Sequence, residues 1–234
     1  MTSIRSSKQN RKRTNLLVLA GLSGLLYSSW PLGFILNPVA TRGLASNLEA
    51  LHQPYNWLFI GFDILCGLLI LAVAVRLNKI FLKPRFSLIV IAIYSYAAFG
   101  LTTAVDALIP FDCAADQQQC GNIAAHPLVI VHGLISIVSI GVLTLSLLVV
   151  LYVLWCEGQL HGWQLKASGA FTVVWFSFGL GTAYLLMKMQ PSAGAQHVFV
   201  LLNSLWIFGM PAILIRWQKS RLPAARVAKN RRGV

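Results

Sequence analysis

Six apolar stretches alternate along the chain with shorter polar, basic or turn-rich ones, at approximately 15–37, 55–75, 87–108, 127–154, 168–189 and 197–217. Each is long enough to cross a hydrocarbon core about 30 Å thick, which takes roughly 20 residues of helix. None keeps up the residue-by-residue alternation of a lipid-facing barrel strand, and a segment in lipid must satisfy its own backbone groups. The pattern therefore predicts an all-α, polytopic membrane six-helix bundle over 15–217, with a basic tail at 1–14 and another at 218–234. A basic start followed by an apolar core also describes a secretory signal. The first run is long for one and no small-x-small cleavage site follows it closely, so it is expected to stay as the first helix.

Composition points the same way, because 57% hydrophobic and 11% charged residues over 234 positions are too apolar for a water-soluble domain of this size. A net charge of +13 would suggest nucleic acid if it were spread as a patch over a soluble surface. Here every Lys and Arg except Arg42 and Lys188 falls in the N-terminal stretch, in the 76–86 and 155–167 connections, or from Arg216 onward. Charge placed between and beyond apolar runs is a topology signal, so both termini are expected in the cytoplasm and no nucleic-acid partner is expected. The two tails read as disordered juxtamembrane segments drawn to anionic lipid.

On this topology the opposite face carries the 38–54 loop, the 109–126 loop and the 190–196 turn. The stretch DALIPFDCAADQQQCGNIAAHPLVIVHG, Asp106 to Gly133, lies there. Outside the reducing cytosol, Cys113 and Cys120 are spaced to close a short disulfide loop; two free thiols, or a zinc ion held with further ligands, are the other readings. Cys66 and Cys156 read as small apolar fillers.

Three segments, SNLEALHQPYNWLFIGFDILCGLLIL at 46–71, AVDALIPFDCAADQQQC at 104–120 and HGLIS at 132–136, resemble the bacterial membrane-protein family called domain of unknown function 998 (DUF998). The resemblance extends over roughly 15–217. It implies a six-helix bundle in a bacterial cytoplasmic membrane, while the family name carries no established chemistry. Ile-Pro-Phe-Asp at 109–112 departs from the commoner pattern, which has an aromatic before the proline.

Ionisable groups inside apolar runs single out a candidate pocket. Asp63 lies about 12 Å into the second run at 1.5 Å per residue, a depth at which a charge is expensive unless it faces the bundle interior, water or a partner. His132, Ser136 and Ser139 share one face of the fourth run, where polar side chains serve either as interhelical glue or as a site. Asp106 closes the third run, Asp112 sits in the loop and His197 opens the sixth. On this topology every histidine except His161 and every acid except Glu157 falls in the outward half. Glu49, His52 and His126 there read as solvated or rim residues.

Asp63, Asp106, His132 and His197 together supply carboxylate and imidazole ligands of the kind zinc takes. Lys188 either snorkels to the headgroups or meets a lipid phosphate. Three functions are compatible with these residues. The first is a non-catalytic membrane protein that interacts with lipid, the second a metal-dependent hydrolase of outer-leaflet lipids, and the third a small-solute or proton-coupled carrier using Asp63. No phosphate loop, dinucleotide fingerprint, haem-attachment or zinc-protease motif is present, and no inverted repeat of the transporter kind is visible.

Overall fold

The computed structural model describes residues 2–81, 87–109, 126–187 and 193–231, and all regular structure in them is helical. Helix α1 runs from Thr2 to Tyr27 and stops short of the predicted 37. The Ser28 hydroxyl turns back onto the Gly24 carbonyl at 3.0 Å, and Pro31, which has no amide hydrogen to give, opens a 3₁₀ turn at Trp30–Leu32. The chain bends by 43° there.

Residues 28–55, expected in part as a loop, are instead wound into short turns: α2 (Gly33–Leu36), α3 (Pro38–Thr41) and a 3₁₀ turn at Ala45–Glu49. Asn37 organises them. Its side chain caps α3 through the Ala40 amide and donates to Gln53 at 2.8 Å, and its carbonyl accepts from the Thr41 hydroxyl. Ala40, Leu48 and Phe59 form a small apolar core under this segment, with Trp30, Leu36 and Phe62 packed around it. The segment thus caps one end of the bundle, and the Ala45 amide ties it to Gln196 of the last helix.

Five long helices follow: α4 (Asn56–Phe81), α5 (Ser87–Ala107), α6 (Pro127–Cys156), α7 (Trp163–Met187) and α8 (Ala193–Arg231). Helix α4 outruns its apolar run and α8 outruns it at both ends, because a helix does not stop where hydropathy falls. The stretch from 218 to 231, expected as disordered, continues α8, and residues 2–14 likewise begin α1.

Helix α4 lies between α1 and α5, α5 packs on α6, and α8 packs on α1 and carries α7. The α4–α5 crossing is close because glycines face each other: a Cβ on Gly67 would collide with the Gly100 carbonyl, and one on Gly100 with Ile70. Gly24 of α1 meets the Ser204 carbonyl of α8 in the same way, with 2.9 Å from an added Cβ.

Buried donors are satisfied across the helices: Tyr96 donates to the Ile207 carbonyl at 2.8 Å, Trp206 to Ser146 at 3.1 Å and Trp175 to Thr144 at 3.2 Å. Trp206 and Trp217 are core residues, whereas Trp57, Trp155 and Trp163 are exposed near helix ends. The bundle's outer surface is lined with Leu, Ile and Val such as Leu68, Val75, Leu101, Ile137 and Leu205. In water such a surface would be unfavourable; in lipid it is solvated. Among the described residues four helices are long and apolar enough to cross a membrane, five if the bent pair at Asn10–Leu36 is one span. The chain is a multi-pass integral membrane protein.

Candidate functional site

The capped end of the bundle gathers ionisable side chains that are far apart in sequence. Asp106 stands in the last turn of α5. His132 and Ser136 are one turn apart on α6 and share a face. Because α5 packs along α6, the Asp106 carboxylate meets both: Oδ1 lies 3.0 Å from His132 Nδ1, and Oδ2 accepts a 2.7 Å hydrogen bond from Ser136 Oγ. A hydroxyl-to-carboxylate bond this short is charge-assisted and among the stronger kinds.

Asp63, on α4, adds a second carboxyl. The cap adds a third, because the 3₁₀ turn at Ala45–Glu49 delivers Glu49 onto α4, where its carboxyl is hydrogen-bonded to that of Asp63. Two carboxyls bond only if one holds a proton. Burial raises the Glu49 value above the ordinary carboxylate range, and the negative charges of Asp63 and Asp106 raise it further, so Glu49 is the donor.

His132 acts on Asp63 electrostatically, and among the described residues no Lys or Arg acts on Glu49 or Asp63. Tyr27, the last residue of α1, faces Asp63 and Cys66 and adjoins the side chain of Asn203 from α8. Glu49, Asp63, Asp106, His132 and Ser136 are each only partly buried, His132 at 12% and Asp106 at 15% exposure, with Asp106 Oδ1 and His132 Nδ1 turned inward.

This grouping departs from the metal set expected from sequence. His197 turns away and stacks on Trp30, with ring centroids 3.9 Å apart and planes 6° from parallel. The cap holds it there: the 3₁₀ turn presents Trp30 to the imidazole, and the Ala45 amide is tied to the neighbouring Gln196. Among the described residues no three His, Cys, Asp or Glu side chains are disposed to hold a metal ion. Ser136 donates to Asp106 and not to the imidazole, so it is not set as a nucleophile with His132 as its base.

Asp112, Cys113, Cys120 and Lys188 lie outside the described residues. Among the described cysteines, Cys66 and Cys156 are free thiols. Cys66 is buried, with its sulfur 3.2 Å from the Ser23 carbonyl, as expected of a filler, and Cys156 is exposed.

A family model described as a protein of unknown function, DUF998, matches residues 18–212. The chain belongs to the DUF998 family. No curated protein and no solved structure matches it. All the residues of the cluster fall inside the DUF998 match. Sequence reasoning missed three of them. Glu49 looked like a solvated loop acid, and nothing local says that the turn bearing it folds back over α4. Tyr27 looked like part of an apolar run. Asn203 did carry a signal: an amide in the middle of an apolar run is costly unless it faces other helices.

What the DUF998 cluster can do chemically follows from its parts. Among the described residues it offers several acceptor oxygens and one imidazole, and a shared proton that a competing cation can displace. It is suited to holding a positively charged or multiply hydrogen-bonding group.

Proposed function

We propose that this DUF998 protein is a non-catalytic lipid-interacting protein of the bacterial cytoplasmic membrane, with six spanning helices, both termini in the cytoplasm, and the capped end receiving the polar head of an outer-leaflet lipid. Helix α7 counts as a span in this reading: it is 25 residues long and packs on α8. The basic residues near the far ends of the helices, Lys79, Lys166 and Lys219 among them, support the orientation.

One observation carries the binding role. Among the described residues, the acids and the histidine that lie inside the bundle are gathered into a partly buried cluster at one end, while the other half of the bundle is filled. Leu77, Phe81, Trp206 and Trp217 are all essentially buried, and Phe81 stacks on Trp217 with 5.8 Å between centroids. A carrier needs a cavity that continues past Asp63, and a hydrolase needs a metal or a Ser–His contact. The geometry favours a site entered and left from the same side.

The test is lipid analysis of the detergent-purified protein beside the Asp63→Asn, Asp106→Asn double variant. Bound lipid that survives extensive washing in the parent and is depleted in the variant supports the reading. Release of fatty acid or headgroup from added lipid by the parent, lost in the variant, would replace it with the hydrolase.

A further inference from the structure

The protein carries a formal charge of +13, yet the cluster of ionisable groups at the capped end is acidic. Glu49, Asp63 and Asp106 act on one another electrostatically, and among the described residues His132 is the basic group beside them. A group bearing phosphate alone would be repelled. A cation is drawn in, and its hydrogen-bonding form is set by a second feature. Asn203 is 1% exposed, and neither its Oδ1 nor its Nδ2 makes a well-formed hydrogen bond. Its amide adjoins the Tyr27 hydroxyl, which faces Asp63. A buried amide without a good partner is unfavourable, and one at the edge of an acid cluster marks where a ligand donor completes the set.

A largely apolar groove of about 260 Å³ is lined by Leu22, Leu25 and Leu26 of α1, by Ser28, Ser29, Pro31 and Leu32 of the bend, and by Phe62 of α4. Phe62 is the residue before Asp63 on α4. The bend that ends α1 makes the groove, and it lies along a helix whose apolar side chains Leu22 and Leu25 are exposed.

Resting on the headgroup reading above, we propose that the cluster selects a lipid whose headgroup ends in a primary ammonium, with one acyl chain laid in the Leu22–Phe62 groove. The three N–H donors of such a group match the Glu49 and Asp63 carboxylates and the Asn203 Oδ1. Its charge replaces the proton that Glu49 shares with Asp63. A quaternary headgroup brings the charge without the donors, and a glycerol headgroup brings hydroxyls without the charge.

The experiment measures binding of phosphatidylethanolamine, phosphatidylcholine and phosphatidylglycerol with identical chains to the full-length protein in detergent by native mass spectrometry. The ethanolamine lipid is expected to bind about tenfold more tightly than the glycerol lipid, the scale of a charge-assisted hydrogen bond, with the choline lipid between them. Asp63→Asn is expected to erase that order. Glu49→Gln, which keeps a donor toward Asp63, is expected to weaken it, and Leu25→Trp to weaken all three lipids alike.

Equal binding of ethanolamine and glycerol lipids would overturn the ammonium selection and leave the headgroup reading standing. No binding of any lipid would overturn both. Soluble phosphoethanolamine competing as well as the lipid does would overturn the groove and assign the site to a free amine.

Discussion

Asp106 is the residue on which the cluster turns, because two neighbours on α6 depend on it. Replacing it by Ala leaves the Ser136 hydroxyl and the His132 imidazole without their carboxylate, and a buried group left unsatisfied costs about 1–3 kcal/mol. Asp106→Ala is therefore expected to destabilise the folded protein by roughly that amount. Ser136→Ala is expected to cost about 1 kcal/mol, near the upper range for an interhelical hydrogen bond. Denaturant titration of both variants and of the double variant checks this, with the double costing less than the sum because the partners are shared.

Glu49 gives a pH signature. Its folded value lies above the ordinary 4.5, with Asp63 and Asp106 as the acids that face it. Between those two values the unfolded chain has already lost the proton that the folded chain keeps. Stability from this residue is thus full below about pH 4.5, declines as pH rises, and levels off once Glu49 ionises in the folded protein as well. Glu49→Gln, which keeps a donor toward Asp63 and cannot ionise, is expected to flatten that decline and raise the melting temperature at the alkaline end. Melting curves from about pH 5 to about pH 9 decide it.

At the scale of elements, the close α4–α5 crossing holds Asp63 and Asp106 near one another, and it depends on Gly67 and Gly100 having no side chains. Gly67→Val places branched carbons against the Gly100 backbone and Ala104. It is expected to cost at least the 1–3 kcal/mol or so of an overpacked core. Gly61→Ala, on the same helix, meets nothing within 4 Å and is expected to be close to neutral. Thermal unfolding of the pair separates close packing from simple loss of glycine. The cap is the other decisive element: without the break at Ser28 to Pro31, α1 would run on and Glu49 would not reach α4.

For the whole molecule, the proposed topology makes a labelling prediction. Arg42, on the cap, and Gln159, in the connection between α6 and α7, are both exposed. In a cysteine-free background, Arg42→Cys is expected to react with a membrane-impermeant maleimide added to intact cells, and Gln159→Cys only after the membrane is opened. The reverse pattern would invert the orientation and place the cluster on the cytoplasmic side.

Much of this molecule was legible in the linear chain, for a physical reason. In lipid a helix needs no partner to satisfy its backbone, so hydropathy alone locates the helices, and charge between them suggests which way they run. The helical class, the family and the pairing of His132 with Ser136 on one face belong to that local information. Helix ends were less legible: α8 runs on to Arg231 although its apolar run stops well before, because helix propensity outlasts hydrophobicity. What only the tertiary structure decided is which side chains meet. His197 and Asp106 look equivalent in sequence, each at the capped end of an apolar run. The fold of residues 28–55 sends His197 against Trp30 and brings Glu49 onto Asp63, and contacts made by a segment folding back across the bundle leave no periodic trace in the residues that make them.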